Sequence, residues 1–225
     1  MPTHLDHVRA DFDRIARLAP PPWEIDDGYV GRLLERLPRP CPRTLEIGSG
    51  TGRITRRLAA RCGEVVALDA SAEMIRVAAE GSGAHPNVHY EHTDFDGFEA
   101  CPGSFDAVVS VATLHHLPLS VSLRRMRDWV APGGVLLVLD LGWPSGLSGW
   151  AQRALALPLS VALRLRHTGR LRPPADLRQA WDAHAAHDEY PAWRELRAVA
   201  EEVLPGHDLE RHLFWRYSLC WRAPR

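Results

Sequence analysis

The chain contains no lysine: all 27 of its basic side chains are arginines, which excludes Schiff-base chemistry and a lysine general base. Its four cysteines, Cys41, Cys62, Cys101 and Cys220, lie far apart in the sequence. That rules out a Cys-x-x-Cys redox pair or a cysteine-rich zinc module, and a reducing cytoplasmic compartment is the expectation. An excess of one charge is also missing, with 28 acidic against 27 basic groups and a formal net charge of -1. Nothing in that balance demands a polyanionic partner, so no nucleic acid is expected as one. Long apolar runs are absent as well: the uncharged stretch from Ala154 to Leu163 is too short to cross a bilayer, and no membrane span is expected. The first residues, with Asp6, Arg9, Asp11 and Asp13 among them, do not read as a secretory signal.

What the chain does have is enough apolar sequence, 45% of 225 residues, to bury one sizeable core, and the expectation is a single domain spanning residues 1–225. Leu5, Val8, Phe12, Ile15 and Leu18 recur at helical spacing before the break at Pro20-Pro21-Pro22, and a second short helix is expected from Tyr29 to Leu37. Short apolar runs then alternate with helical stretches. The runs Thr44-Ile47, Val65-Leu68, Val88-Tyr90, Ala107-Val111 and Val135-Leu139 read as strands, and Arg53-Arg61, Ala72-Glu80 and Ser120-Val130 as the helices between them. Strand alternating with helix implies an α/β, Rossmann-like doubly wound sheet that is mostly parallel. After a helix from Trp193 to Val203, the period of two in Leu209, Leu213, Trp215, Tyr217, Leu219 and Trp221 predicts a C-terminal antiparallel hairpin. Its aromatic residues, with Trp193 and Phe214, read as core in preference to an acceptor pocket.

The segment LEIGSGTGRITRRLA, residues 45–59, ends a strand with glycines at 48, 50 and 52 and then starts a helix. Glycines there let a ligand approach the backbone, and the free amides of the new helix add donors. The spacing G-x-G-x-G differs from the G-x-G-x-x-G of dinucleotide enzymes. Glu46 shares the side of Gly48, where an acid suits a cationic amino-acid moiety. Asp69 closes the next strand, where an acid can accept from ribose hydroxyls, while Ser71 is the better cap for the helix that follows. NAD satisfies Asp69 as well as adenosylmethionine does. Asp94, in HTDFDGF, could accept from an adenine amino group while Phe95 packs on the ring.

LEIGSGTG, VVALDAS, the Asp94 loop, FDAVVSVATLHHL and APGGVLLVLDL, in that order, resemble the successive motifs of class I S-adenosylmethionine-dependent methyltransferases. The resemblance covers roughly residues 25–141, and within the family it is closest to the small-molecule branch called type 11 or 12. It implies S-adenosyl-L-methionine as cofactor, with its methionine end near Glu46, Gly48 and Gly50 and with Ser49, Thr51 and Gly52 of the same loop also binding it. Asp69 would take the ribose, Ala70, Met74, Asp94 and Phe95 the adenine, and Val111 would border the sulfonium. It also implies N-terminal helices, residues 1–40, that cap the cofactor, with Trp23 and Tyr29 among them. The acceptor would be a small molecule methylated on O, N, S or C; a protein or nucleic-acid acceptor, or a binder that transfers nothing, is the alternative.

Residues just after the fourth strand would lie beside the methyl group. There the chain has Thr113, Leu114, His115 and His116, in place of the Asn- or Asp-Pro-Pro-aromatic pattern of enzymes that methylate planar nitrogens. One of the two histidines is the candidate base, the other a support for the loop. His184 and His187, with Asp182, Asp188 and Glu189 nearby, read as a solvated helix face, and no metal is expected. Residues 142–190 read as a lid for substrate recognition, apolar and arginine-rich, interrupted at Pro158; an interfacial helix or a homodimer contact are its other readings.

Overall fold

The computed structural model describes residues 4–18, 25–142, 147–186 and 188–225. A seven-stranded sheet in the order β3-β2-β1-β4-β5-β7-β6 forms the centre. Its strands are β1 (Arg43–Ile47), β2 (Glu64–Asp69), β3 (Val88–His92), β4 (Phe105–Val111), β5 (Val130–Leu141), β6 (Asp208–His212) and β7 (Arg216–Arg222). β1 to β5 pair in parallel, and β7 joins β5 antiparallel before turning back to β6. The expected doubly wound sheet with its terminal hairpin is therefore the fold observed.

The helices are α1 (His4–Ala16), α2 (Asp27–Leu34), α3 (Arg53–Ala59), α4 (Ala72–Gly81), α5 (Leu119–Trp129), α6 (Leu147–Thr168), α7 (Ala175–Ala185) and α8 (Trp193–Val203). Alternation along each strand sends successive side chains to opposite faces, and both faces are covered. Leu45, Ile47, Val66, Leu68, Val108, Leu136 and Val138 pack with Leu123 and Met126 of α5 and Leu196, Ala200 and Val203 of α8. On the other face Val65, Ala107, Val109, Leu137 and Leu139 pack with Val30, Leu33 and Leu34 of α2 and Ile54 and Leu58 of α3. Each of the valine, leucine, isoleucine and methionine side chains among them, removed from water, contributes roughly 1.5–3 kcal/mol.

Two expectations change. Pro158 does not interrupt its segment: α6 runs through it from Leu147 to Thr168, the strong helix formers Ala, Leu and Arg on both sides offsetting the lost amide donor. Among its residues from Leu155 onward only Ala156 is buried, and Leu155, Leu157, Leu159, Val161 and Leu165 are exposed. In the hairpin, Phe214 and Trp215 form the turn with φ of 61° and 58°, so Trp215 leaves the strand alternation that Tyr217, Leu219 and Trp221 keep. Phe214, Tyr217 and Trp221 are buried, as core residues should be. Trp23 and His187 lie outside the described residues.

Candidate active site

The carboxyl ends of β1, β2 and β4 open onto a cavity of about 510 Å³, within the range that small ligands occupy, about 300–1,000 Å³. Parallel pairing brings those ends level: Ile47 stands opposite both Leu68 and Ser110. The loop after β1 is tied to β2, since the amides of Gly48 and Ser49 both donate to the Leu68 carbonyl, at 2.9 and 2.8 Å.

Gly48 has two reasons to be glycine. Its φ is +76°, and a Cβ there would stand 2.0 Å from the Thr113 hydroxyl. The chain after β4 makes that approach through Ala112, a non-glycine residue at φ 51°, an uncommon conformation that a crowded strand end can hold. Gly50 also has positive φ, with nothing within 4 Å of a hypothetical Cβ. Gly52 serves another purpose: it does not line the cavity, and a Cβ would strike the Tyr90 hydroxyl at 2.3 Å. Its small size lets α3 start against β3, a packing need that spacing alone cannot separate from ligand contact.

Asp69 accepts from the Gly50 amide at 2.7 Å and from the Ser71 amide at 2.9 Å. Burial raises its pKa against the lowering effect of those two bonds. Ser71 caps α4 as expected, accepting from Met74 N at 3.1 Å. Gly48, Ser49, Gly50, Thr51, Asp69, Ala70, Met74, Asp94, Phe95, Val111, His115 and His116 all line the cavity. Phe95 also packs edge-on to Trp129, with centroids 5.5 Å apart. Glu46 lies behind this wall, fully buried, and its Oε2 has no hydrogen-bond partner among the described residues. Burial pushes its carboxyl up to about 8; the Asp69 charge adds to the rise, and the neighbouring Thr55 hydroxyl and Arg56 guanidinium oppose it.

α1 lies over one side of the cavity. Asp13 accepts from Ser71 Oγ at 2.6 Å and from Glu73 N at 3.3 Å, and Arg9 pairs with Asp94 at 3.3 Å. Val8, Phe12 and Ile15 of α1 and Leu177 and Trp181 of α7 line the space. None of the aromatic residues of the C-terminal hairpin does.

His115 and His116 occupy a single 3-10 turn, Leu114–His116. Asp140, buried near the end of β5, accepts from the His115 amide at 3.0 Å and lies 2.6 Å from its Nδ1. Burial lowers the His115 pKa, but the Asp140 charge and hydrogen bond outweigh it and the net shift is upward. Sequence reading missed Asp140; the available signal was an acid ending an otherwise apolar strand, as Asp69 ends β2.

His184 corrects a further expectation. It is 3% exposed, and Phe12 packs on its ring with centroids 4.6 Å apart. α7 packs against α1, which makes that helix face an interior one. His184 Nδ1 is 3.5 Å from Asp11, and its Nε2 is 3.5 Å from Asp188 Oδ1.

A family model described as "Methyltransferase domain" matches residues 44–134. An uncharacterized methyltransferase of Mycobacterium tuberculosis is 31% identical over 207 residues, covering 90% of this chain and 98% of that protein. A ubiquinone biosynthesis O-methyltransferase of Xanthomonas campestris is 27% identical over 146 residues, 59% of this chain and 61% of its own length. Among solved structures, the N-methyltransferase NodS of Bradyrhizobium japonicum, in complex with S-adenosyl-L-homocysteine, superposes with a TM-score of 0.66 at 18% identity over 98% of this chain and 100% of its own.

Proposed function

Because the chain belongs to the class I S-adenosylmethionine-dependent methyltransferases, we propose that it methylates a small molecule inside the cavity and that His115 takes the acceptor's proton. The observation that carries the acceptor class is the wall that α1 and α7 contribute. Phe12, Ile15, Leu177 and Trp181 make that wall apolar, suited to an organic molecule enclosed by α1 and α7 and unsuited to a phosphate backbone.

The residues present fit the cofactor. A cationic amino group answers Glu46 Oε2, which has no hydrogen-bond partner among the described residues, and the positive-φ glycines at 48 and 50 leave backbone where side chains would stand. Asp69 and Asp94 offer acceptors to ribose and adenine. When bound, S-adenosylmethionine supplies a methyl group on a sulfonium, which is a good leaving group.

Most of the acceleration then falls to alignment, because a bound pair held in line reacts as one molecule. Asp140 accepts the Nδ1 proton of His115, which leaves Nε2 as the accepting nitrogen. His115 Nε2 would take the proton of an acceptor oxygen, nitrogen or sulfur as that atom is methylated, while the bound cofactor would supply the methyl group and keep the electron pair as a thioether. Of the N-terminal helices α1 acts as the cap, α2 packing on the sheet instead, and α7 is the substrate-facing part of the 142–190 lid.

The test is turnover, read as S-adenosylhomocysteine release, against panels of small phenols, amines, thiols and carboxylic acids, with peptides and nucleic acids in parallel. Turnover with a small molecule supports the reading. Turnover with a macromolecule alone rejects it.

A further inference from the structure

Among the described residues, every exposed large apolar side chain except Val121 and Trp181 falls between Leu155 and Leu171. Five of them, Leu155, Leu157, Leu159, Val161 and Leu165, belong to α6 and are 37–59% exposed. A helix turns about 100° per residue, so Leu157, Val161 and Leu165 form one row and Leu155 and Leu159 a second, with the exposed Pro158 and Ala162 filling the arc between them. Ala156, which is buried, falls on the opposite side. Arg164 lies beside Leu157 at one margin of the arc, and Arg166 lies between Leu155 and Leu159 at the other. Charge is as one-sided as burial: residues 142–175 carry Arg153, Arg164, Arg166, Arg170 and Arg172 and no acid, in a chain whose acids and bases nearly balance.

We propose that α6 docks on a membrane surface rich in anionic lipid. A contiguous exposed apolar patch bordered by charge marks an interaction surface. Among the described residues no helix is long and apolar enough to cross a membrane, so α6 lies in the plane of the interface, with its leucines and Val161 entering the acyl boundary. Arginine suits the margins, because its aliphatic stem covers apolar surface while the guanidinium reaches the headgroups and pairs with phosphate. With no acid in residues 142–175, nothing on this segment repels an anionic headgroup layer. The same charge disfavours a second copy of the chain on that face, since an isologous contact would gather arginines with no acid in the segment to answer them. α7, whose Leu177 and Trp181 line the cavity, begins a few residues beyond α6, so docking brings the apolar side of the cavity near the lipid surface. The lipid binding itself does not depend on what the acceptor is.

The test is co-sedimentation of the full chain with vesicles of phosphatidylcholine containing about 30% phosphatidylglycerol, beside vesicles of phosphatidylcholine alone. Partition onto the anionic vesicles is expected to be at least about tenfold stronger, and to fall about tenfold when salt rises from about 0.05 to about 0.5 M. A triple variant, Leu157→Gln with Val161→Gln and Leu165→Gln, is expected to lose at least about tenfold. Arg164→Gln with Arg166→Gln is expected to lose about tenfold on anionic vesicles and to flatten the salt dependence. S-adenosylhomocysteine binding, measured by calorimetry, is expected to stay within about twofold of the parent in both variants and so certifies their fold; if one fails to fold, the other carries the result. Absence of binding to anionic vesicles, equal binding to both kinds, or parent-like binding by a folded variant overturns the proposal. So does a dimer in sedimentation velocity that the triple variant dissociates, which would assign the face to a second copy. No acceptor enters these readouts, so failure of the small-molecule reading and failure of lipid docking are distinguishable.

Discussion

The cavity has two sides built on opposite principles, represented by Asp69, which lines it, and Asp188, which stands just behind its lining. Asp69 belongs to a strand end, and each of its carboxylate oxygens accepts one backbone amide, those of Gly50 and Ser71. Asp188 follows α7; one oxygen accepts from Tyr190 and the other faces two imidazoles across 3.5 and 3.7 Å. The first wall is main chain shaped by glycines. The second is a set of side chains assembled from distant segments. A main-chain wall tolerates little change in its glycines, whereas a side-chain wall can be altered one function at a time.

The largest effect is expected where backbone and side chain collide. Gly48→Val places a Cβ on Thr113 and imposes a left-handed φ on a β-branched residue, and it should abolish measurable S-adenosylhomocysteine binding and lower stability by roughly 1–3 kcal/mol. Calorimetry and thermal melting check both, and retained binding would break the distinction between the walls. Next, His115→Ala should lower kcat about a hundredfold or more while leaving cofactor affinity within about twofold. Steady-state kinetics beside a binding titration separate those quantities, and a joint loss would show that the two walls are coupled.

A smaller effect concerns Glu46, whose carboxyl is pushed up to about 8. Below that pH the ligand-free protein holds it neutral, so pairing it with a cationic amine requires a proton to leave. Affinity for S-adenosylmethionine should therefore rise between pH 6 and pH 8, by up to about tenfold per unit, and Glu46→Gln should flatten the profile. The same raised value makes the ionised acid costly in the fold, so ligand-free stability should fall as pH rises from 4.5 toward 8; melting curves across that window test the sign. The smallest effect is expected at the Arg9–Asp94 pair, whose side chains are 41% and 38% exposed. Arg9→Ala should weaken cofactor binding by no more than about fivefold, the scale of an exposed ion pair.

The same division explains what could be read from sequence. The strands, the glycine loop, Asp69 and the Ser71 cap are local features, each specified within a few residues by alternation, spacing or turn chemistry. α8 was legible to the residue for that reason. Gly52 was legible as a required glycine but not for its partner, because Tyr90 approaches from β3. Asp140 lay inside a recognised motif, yet its bond to His115 depends on β5 lying beside β4. His184 looked solvated because acids surround it in sequence, and the docking of α1 on α7 that buries it leaves no short-range signature. Pro158 misled in the other direction, as a breaker that its neighbours override.

Asp140 sits on a strand hydrogen-bonded on both sides, to β4 and to β7, whereas Asp188 follows a helix that rests mainly on α1. Local openings cost least where few neighbours hold the chain and approach the cost of global unfolding at the centre of a sheet. On warming, amide exchange should therefore quicken around α7 while the amides of β5 remain protected, and the two histidines of one turn, separated by a single peptide bond, would lose their partners at different temperatures.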